Sequence, residues 1–373
     1  MSAAYAVALN GTMVMPVVVL SMSKLTGYDE GLATIVASAE LAGIAVYGLF
    51  LPRLAGRSWK TVAVVGLLTV FAGQTASFYF QTPWLLAAVR LVTGLGEGAI
   101  FSIVSMSLSS LANAERLWGA LSLVGGTTMG VLLFVVSLFP QQQTEAQVFL
   151  LLAVFTAMMA PFFVLISRRK PVMTAPHHSR LDGRKMVTAM LVVFLVYAVQ
   201  AAQWAICGYV GERVGLSSAE VGFYLAISSI AGFLGAAVPA SARDKGKRVS
   251  LVLAGFLIMA VSIYFLFNVM TVTVFVTSQI FVNIGFYIVT PFVTGVLTEN
   301  DPDGSLMSRI LVIAIIGATI GTAVAGPVFA SAGAAAFAWS CLLPLALAAL
   351  GATMVFGHLH RALPAMTTTE VAE

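Results

Sequence analysis

This chain is poor in charge. Of its 373 residues only 9% are Asp, Glu, Lys or Arg, while 60% are hydrophobic. A soluble domain carries roughly 25% charged residues, and without them it has no water-compatible surface. The chain has two cysteines, Cys207 and Cys341, each inside an apolar run, so no disulfide framework or Cys-based metal site can be built. All four histidines (His177, His178, His358 and His360) fall outside the apolar runs, and no further ligands are spaced to complete a metal site with them. There is no phosphate-binding loop. GLGEG at 94–98 lacks the G-x-G-x-x-G spacing and lies inside an apolar run instead of following a strand. These absences exclude a soluble nucleotide enzyme, a metalloenzyme and direct ATP hydrolysis. The net charge of +4 gives no nucleic-acid signal either, because the basic residues cluster in short loops.

What remains is apolar sequence in lengths that cross a bilayer, for which about 20 residues suffice. Polar and Pro/Gly-rich breaks predict an all-α polytopic membrane protein with twelve transmembrane helices. They are expected near 4–23, 30–51, 61–80, 84–109, 117–139, 147–167, 187–210, 219–241, 250–269, 272–297, 308–330 and 334–357. The first run has neither a basic n-region nor a small-residue cleavage site, and is expected to be a spanning helix and not a signal peptide.

Loop charge predicts orientation. With the N-terminus cytoplasmic, the inner loops collect Arg53, Arg57, Lys60, Arg116, the run from Arg168 to Lys185, Arg243, Lys245, Lys247, Arg248 and Arg309. The opposite face keeps Lys24 and Arg213. Positive residues accumulate on the cytoplasmic side, so both termini are expected inside, in a cytoplasmic (inner) membrane.

The longest connector divides the spans six and six. The expected organisation is an N-terminal bundle (1–167), a basic cytoplasmic linker (168–185), a C-terminal bundle (186–358) and a tail (359–373). The two halves show weak similarity. ELAG at 40–43 matches SIAG at 229–232, and the same offset sets Arg90 against Gln279, Gly94 against Asn283, and Gly96 against Gly285. Gly126 and Gly130 recur as Gly317 and Gly321 after a shift of two. Two halves related by an axis along the membrane normal place a binding site between them at mid-depth.

The chain resembles the major facilitator superfamily over essentially its whole length. The resemblance rests on the six-plus-six layout, the basic central loop and the span-four pattern Arg90-x-x-x-Gly94-x-Gly96-x-Gly98. The loop GLFLPRLAGRSWK keeps Gly48, Arg53, Gly56, Arg57 and Lys60 of the family pattern, but has Pro52 where an aspartate is usual. Its counterpart SARDKGKR keeps Asp244, Lys245, Gly246 and Arg248. Span five, GALSLVGGTTMGVLL, has glycines but lacks the proline of the drug-exporter signature. The resemblance implies a monomeric secondary transporter with two pseudo-symmetric six-helix bundles, working by alternating access without a cofactor.

Three ionisable residues lie deep in the spans: Glu40, Arg90 and Glu97. Each is costly there, about 2.5–3.5 kcal/mol for an arginine or acid at the bilayer centre, so each is a functional candidate. Arg90 and Glu97 share one helix face, roughly 10 Å apart along the axis. Glu40 is placed to partner Arg90. Glu97, Arg90 and Glu40 are therefore expected to handle protons, and Arg90 also to meet an anionic group of a small-molecule substrate. Tyr197, Gln200 and Trp204 fall at i, i+3 and i+7 on one face. With Asn10, Asn283 and Tyr287 they are expected to line the substrate site. The expected function is proton-coupled transport of a small organic anion. The alternatives are export of hydrophobic or cationic compounds, with an acid meeting the positive charge, or an integral-membrane enzyme.

Overall fold

The computed structural model describes residues 1–25, 27–50, 59–109, 114–138, 146–166, 183–241, 248–299 and 305–362. Most of the basic connector, the loops carrying Arg53, Arg57 and Asp244, and the tail after residue 362 lie outside the described residues. The described residues contain helices and no strand.

The first span is not one helix. It breaks into α1 (Ser2–Ala8), α2 (Asn10–Met13) and α3 (Met15–Ser23), with non-helical backbone at Leu9 and Val14. Pro16 supplies a cause for the second break, since it has no N–H and its ring clashes with the carbonyl four residues earlier, that of Thr12. Straighter helices follow: α4 (Glu30–Phe50), α5 (Trp59–Tyr79), α6 (Pro83–Ser109) and α7 (Ala114–Ser137). α8 (Gln147–Met159) continues as a 3₁₀ turn, Ala160–Leu165, at Pro161. In the second half, α9 (Gly183–Arg213) leads to α10 (Ser218–Gly232), then a 3₁₀ turn and the short α11 (Ala237–Ser241) at Pro239. α12 (Arg248–Asn268) and α13 (Val272–Glu299), joined by three residues, form a tight antiparallel pair. The last helix, α14 (Ser305–Ala362), holds both expected final spans. They fold back on each other at Gly333, whose φ of 80° is in the left-handed region that glycine enters without a Cβ penalty.

Nine of these stretches are long and apolar enough to cross a membrane by themselves, Arg309–Val355 among them. Counting that stretch as two crossings, and adding the broken first span and the shorter apolar Leu123–Ser137 of α7, gives the expected twelve. The protein is a multi-pass membrane protein. Its outer surface is apolar: Leu165, Trp84, Leu234, Met354 and Leu343 are all more than 60% exposed, as side chains facing lipid tails should be.

Lipid is as apolar as leucine, so close packing must hold the helices together. Glycines provide it, and they do so twice. A methyl group added at Gly66 on α5 would sit 2.9 Å from the carbonyl oxygen of Gly96 on α6. In the second half one added at Gly285 on α13 would sit 2.7 Å from the carbonyl oxygen of Gly255 on α12. Gly43 packs on Gly94, and Gly232 packs on Asn283. All four positions of the second half stand at the offset that pairs Arg90 with Gln279. The internal similarity is therefore present as repeated helix contacts. The pairing of Gly126 and Gly130 with Gly317 and Gly321 is not. The first two face Phe233, just after α10, and Ile230 on α10, across the halves, whereas the second two face Phe194 and Ala198 on α9. At about 100° per residue, a shift of two turns the glycines to another side of the helix.

Candidate functional site

Among the described residues, Glu40, Arg90 and Glu97 are the only Asp, Glu, Lys or Arg side chains that are buried. Their helices are brought together by the glycine spacing of span four. Gly94 lets α6 lie directly against the backbone of Glu40, and Gly98 lets it lie against Ile44 and Tyr47, all on α4. That contact places Arg90 beside the Glu40 carboxylate, to which its Nη2 donates in an ion pair. Nη1 donates to Gln74 Oε1 on α5 at 2.7 Å. The guanidinium carbon lies 5.2 Å from the centre of the Phe149 ring on α8, a cation–π contact that adds to its hold in a dry site.

The network runs further. Gln74 Nε2 donates to Asn10 Oδ1 at 3.3 Å, and Asn10 Nδ2 donates to Thr156 Oγ1 at 3.1 Å. Asn10 opens α2, at the break in the first span, where the local unwinding lets its amide reach both α5 and α8. Next to it, Gly11 faces the Glu40 carboxylate so closely that an added methyl group would displace the carboxylate. The sequence reading missed Gln74 and Thr156. Both are small polar signals in apolar helices, and only the fold shows that they meet Asn10 and Arg90.

Glu97 lies in the same cluster but is bound differently. It is fully buried, and neither of its carboxyl oxygens has a hydrogen-bond partner of good geometry. Glu40 and Arg90 are its charged neighbours. Glu40 Oε1 and Arg90 Nε are likewise unpartnered. One cation and two acids share a pocket without water-exposed surface, so the cluster is electrically neutral when one of the two acids carries a proton.

The second half answers with carboxamides. Gln200 Nε2 on α9 donates to Asn283 Oδ1 on α13 at 3.1 Å. One turn along, Gln279 Nε2 donates to Gln203 Oε1 at 3.2 Å. Each pair leaves one acceptor and one donor unpaired: Gln200 Oε1 with Asn283 Nδ2, and Gln279 Oε1 with Gln203 Nε2. A turn in the other direction, Tyr197 and Tyr287 continue this ladder. Tyr197 sits edge-on to Phe286 with ring centres 5.3 Å apart, and Tyr287 lies 4.3 Å from Phe233. Both phenols lie near Tyr5 on α1, a residue of the first half. Gln203 and Tyr5 are further residues the sequence reading did not single out. Trp204 is 7% exposed and belongs to the buried apolar cluster against which Tyr197 also packs.

No family model matches the chain. A gentisate transporter of Corynebacterium glutamicum is 29% identical over 110 residues, which cover 27% of this chain and 24% of that protein. The match thus spans about a quarter of that relative's length. Among solved structures, the human organic anion transporter MFSD10 (TETRAN) superposes with a TM-score of 0.66 at 12% identity, over 94% of this chain and 97% of the other. A variant of the nucleoside transporter NupG gives a TM-score of 0.70 at 13% identity, over 95% and 97%. Identity this low shows a shared fold.

Proposed function

We propose that this chain, whose fold is that of the major facilitator superfamily, is a secondary active transporter of a small organic anion. On this reading it works by alternating access of two six-helix bundles, coupled to protons, in the cytoplasmic membrane with both termini inside. The observation that carries the coupling is the buried cluster of one arginine and two acids. A buried ion pair that loses one partner is strongly unfavourable. A movement of α4 against α6 that weakens the Glu40–Arg90 pair therefore frees Arg90 for a substrate carboxylate and shifts the proton balance between Glu40 and Glu97. Glu97, which has no ion pair and no hydrogen bond of good geometry, is the acid best placed to gain and lose the proton. The carboxamide ladder of Gln200, Gln203, Gln279 and Asn283, with Tyr197 and Tyr287, then holds the neutral hydrogen-bonding parts of the solute. Organic anion and gentisate are the words attached to two of the similar proteins, and they agree with this chemistry.

The test is uptake by proteoliposomes of a panel of aromatic and aliphatic carboxylic acids, with and without an imposed pH gradient. Glu97→Gln keeps the shape of the side chain but removes its titration. It should stop gradient-driven accumulation while substrate exchange at equal pH persists. Accumulation at the unsubstituted rate would remove Glu97 from the coupling role. Uptake of neutral or cationic solutes in preference to every acid would sink the anion reading.

A further inference from the structure

The two lone cations of the face opposite the basic loops, Lys24 after α3 and Arg213 at the end of α9, do not simply project into solvent. Each reaches into the other half of the chain. Lys24 Nζ lies 2.7 Å from Glu212 Oε1 and donates to Ser218 Oγ at 2.6 Å, while the Ser218 hydroxyl donates to the same Glu212 oxygen at 3.2 Å. Arg213 Nη2 donates to both carboxylate oxygens of Glu30, at 3.1 and 3.2 Å. Its guanidinium carbon also sits 4.3 Å from the centre of the Phe329 ring on α14. Lys24 and Arg213 occupy matching positions of the two repeats, at the offset that relates the glycine pairs.

The carboxylates are held in place by the local structure. Glu30 begins α4 immediately after Asp29, whose Oδ1 accepts from Leu32 N–H at 2.6 Å and caps the helix. Glu212 sits in the last turn of α9, and Gly215 two residues beyond the helix has a φ of 91°. Ser217 and Glu220 then cap α10 reciprocally. Beneath the ion pairs the two halves touch closely. The Gly326 N–H donates to the Thr34 hydroxyl at 3.1 Å, the Tyr209 hydroxyl donates to Val19 O at 3.4 Å, and Gly208 lies against Pro16 O. This end of the bundle is shut.

We propose that the two ion pairs are a paired latch: they hold this end closed, and both must break each time it opens. Exposed ion pairs are ordinarily weak and scattered. These two are neither scattered nor local, since both cross between the halves and lie directly over the seam that would part. Their strength sets the fraction of molecules open at this end without touching Arg90, Glu97 or the carboxamides. The latch rests on the alternating-access reading, and its test is chosen to be independent of substrate, coupling and orientation.

Leu20, 1% exposed and lying on the seam beside Gly208, serves as the reporter. Leu20→Cys is made with Cys207→Ala and Cys341→Ala, and the protein is held in nanodiscs, where a maleimide reaches both faces. Labelling of residue 20 then measures opening of this end. Lys24→Ala and Arg213→Ala should each raise the labelling rate roughly 1.5- to fivefold, the range that exposed pairs span. The two effects should multiply in the double variant. Lys24→Glu combined with Glu212→Lys should return the rate toward that of the parent. Raising the salt concentration should speed labelling of the parent, because screening weakens partly exposed pairs. The salt titration leaves the pairs themselves unaltered, so it reads the latch even where a neutralised variant does not fold. Labelling that ignores both salt and the two neutralisations, or a charge swap as fast as Lys24→Glu alone, would overturn the latch. Intact latch behaviour in a protein that transports no acid would leave it standing and remove only the substrate reading.

Discussion

The strongest test of the buried cluster is to remove one charge and then both. In Glu40→Ala, Arg90 loses its ion-pair partner while remaining fully buried, with Gln74 its one other side-chain hydrogen-bond acceptor. Breaking a buried pair by removing one member costs about 3–5 kcal/mol, because the remaining charge is left uncompensated. Glu97 is near enough to offset part of that loss in its ionised form, so the lower end of the range is expected. About 3 kcal/mol is more than a hundredfold in the folding equilibrium. The double variant Glu40→Met with Arg90→Met replaces both charges by apolar groups of similar length, a change that is often neutral or stabilising. Its melting temperature in detergent should therefore recover most of what Glu40→Ala loses, while transport stays absent. The assay is the fraction of monodisperse protein that survives a heating series, run on parent, Glu40→Ala, Arg90→Met and the double variant. A double variant less stable than either single would refute the argument, since it would mean that the pair stabilises the fold directly.

Three further outcomes follow from the packing. Gly94→Ala would place a methyl group on the Glu40 backbone carbonyl, so overpacking of about 1–3 kcal/mol is expected, together with loss of transport; thermal stability and uptake measure the two effects. Gln203→Leu leaves Gln279 without its partner in a buried site and should lower stability by about 1–3 kcal/mol, whereas Gln203→Leu with Gln279→Leu should restore it and weaken substrate affinity instead. Trp204→Ala should act on stability, by about 3–5 kcal/mol in a heating series, because the ring fills the apolar core. A Trp204→Ala protein of parental stability with weakened substrate binding would place the ring on the wall of the site.

The helices were legible because length and hydropathy suffice for them. Glu30–Phe50, Pro83–Ser109 and Arg248–Asn268 begin and end within two residues of the expected limits. The Arg90–Glu40 pair was legible too, because charge deep in an apolar run must find a partner. The faces of the helices were harder. In a soluble protein the outward face is polar and declares itself, whereas here the outward face meets lipid and is as apolar as the core. Trp204 illustrates this. At i+7 from Tyr197 it shares a helix side and is buried in the cluster against which Tyr197 packs, whereas Gln203, on a different side of α9, is the residue that meets Gln279. Lys24 and Arg213 were visible as isolated cations, but their partners Glu212 and Glu30 lie 188 and 183 residues away along the chain, beyond any local pattern.

The repeat makes the contrast between the two halves informative. The contacts of Gly66 with Gly96 and of Gly255 with Gly285 set equivalent helices against each other, yet the equivalent positions Arg90 and Gln279 carry different chemistry. An arginine with two acids changes net charge when a proton moves. A glutamine paired with another glutamine stays neutral at every pH. A second charged cluster would double the desolvation penalty that each buried ion carries. Carboxamides lower that penalty and still offer one free donor and one free acceptor per pair. On the proposed reading the first half therefore supplies the charge that couples transport to protons, and the second supplies hydrogen bonds whose geometry is independent of it. The division predicts a separation of effects. Gln203→Leu with Gln279→Leu should change which acids are carried without altering the response to a pH gradient, while Glu97→Gln should change that response without altering the ranking of acids in exchange. Measured on one panel of acids, a ranking that shifts in Glu97→Gln as much as in the double glutamine variant would show that charge and recognition share one site.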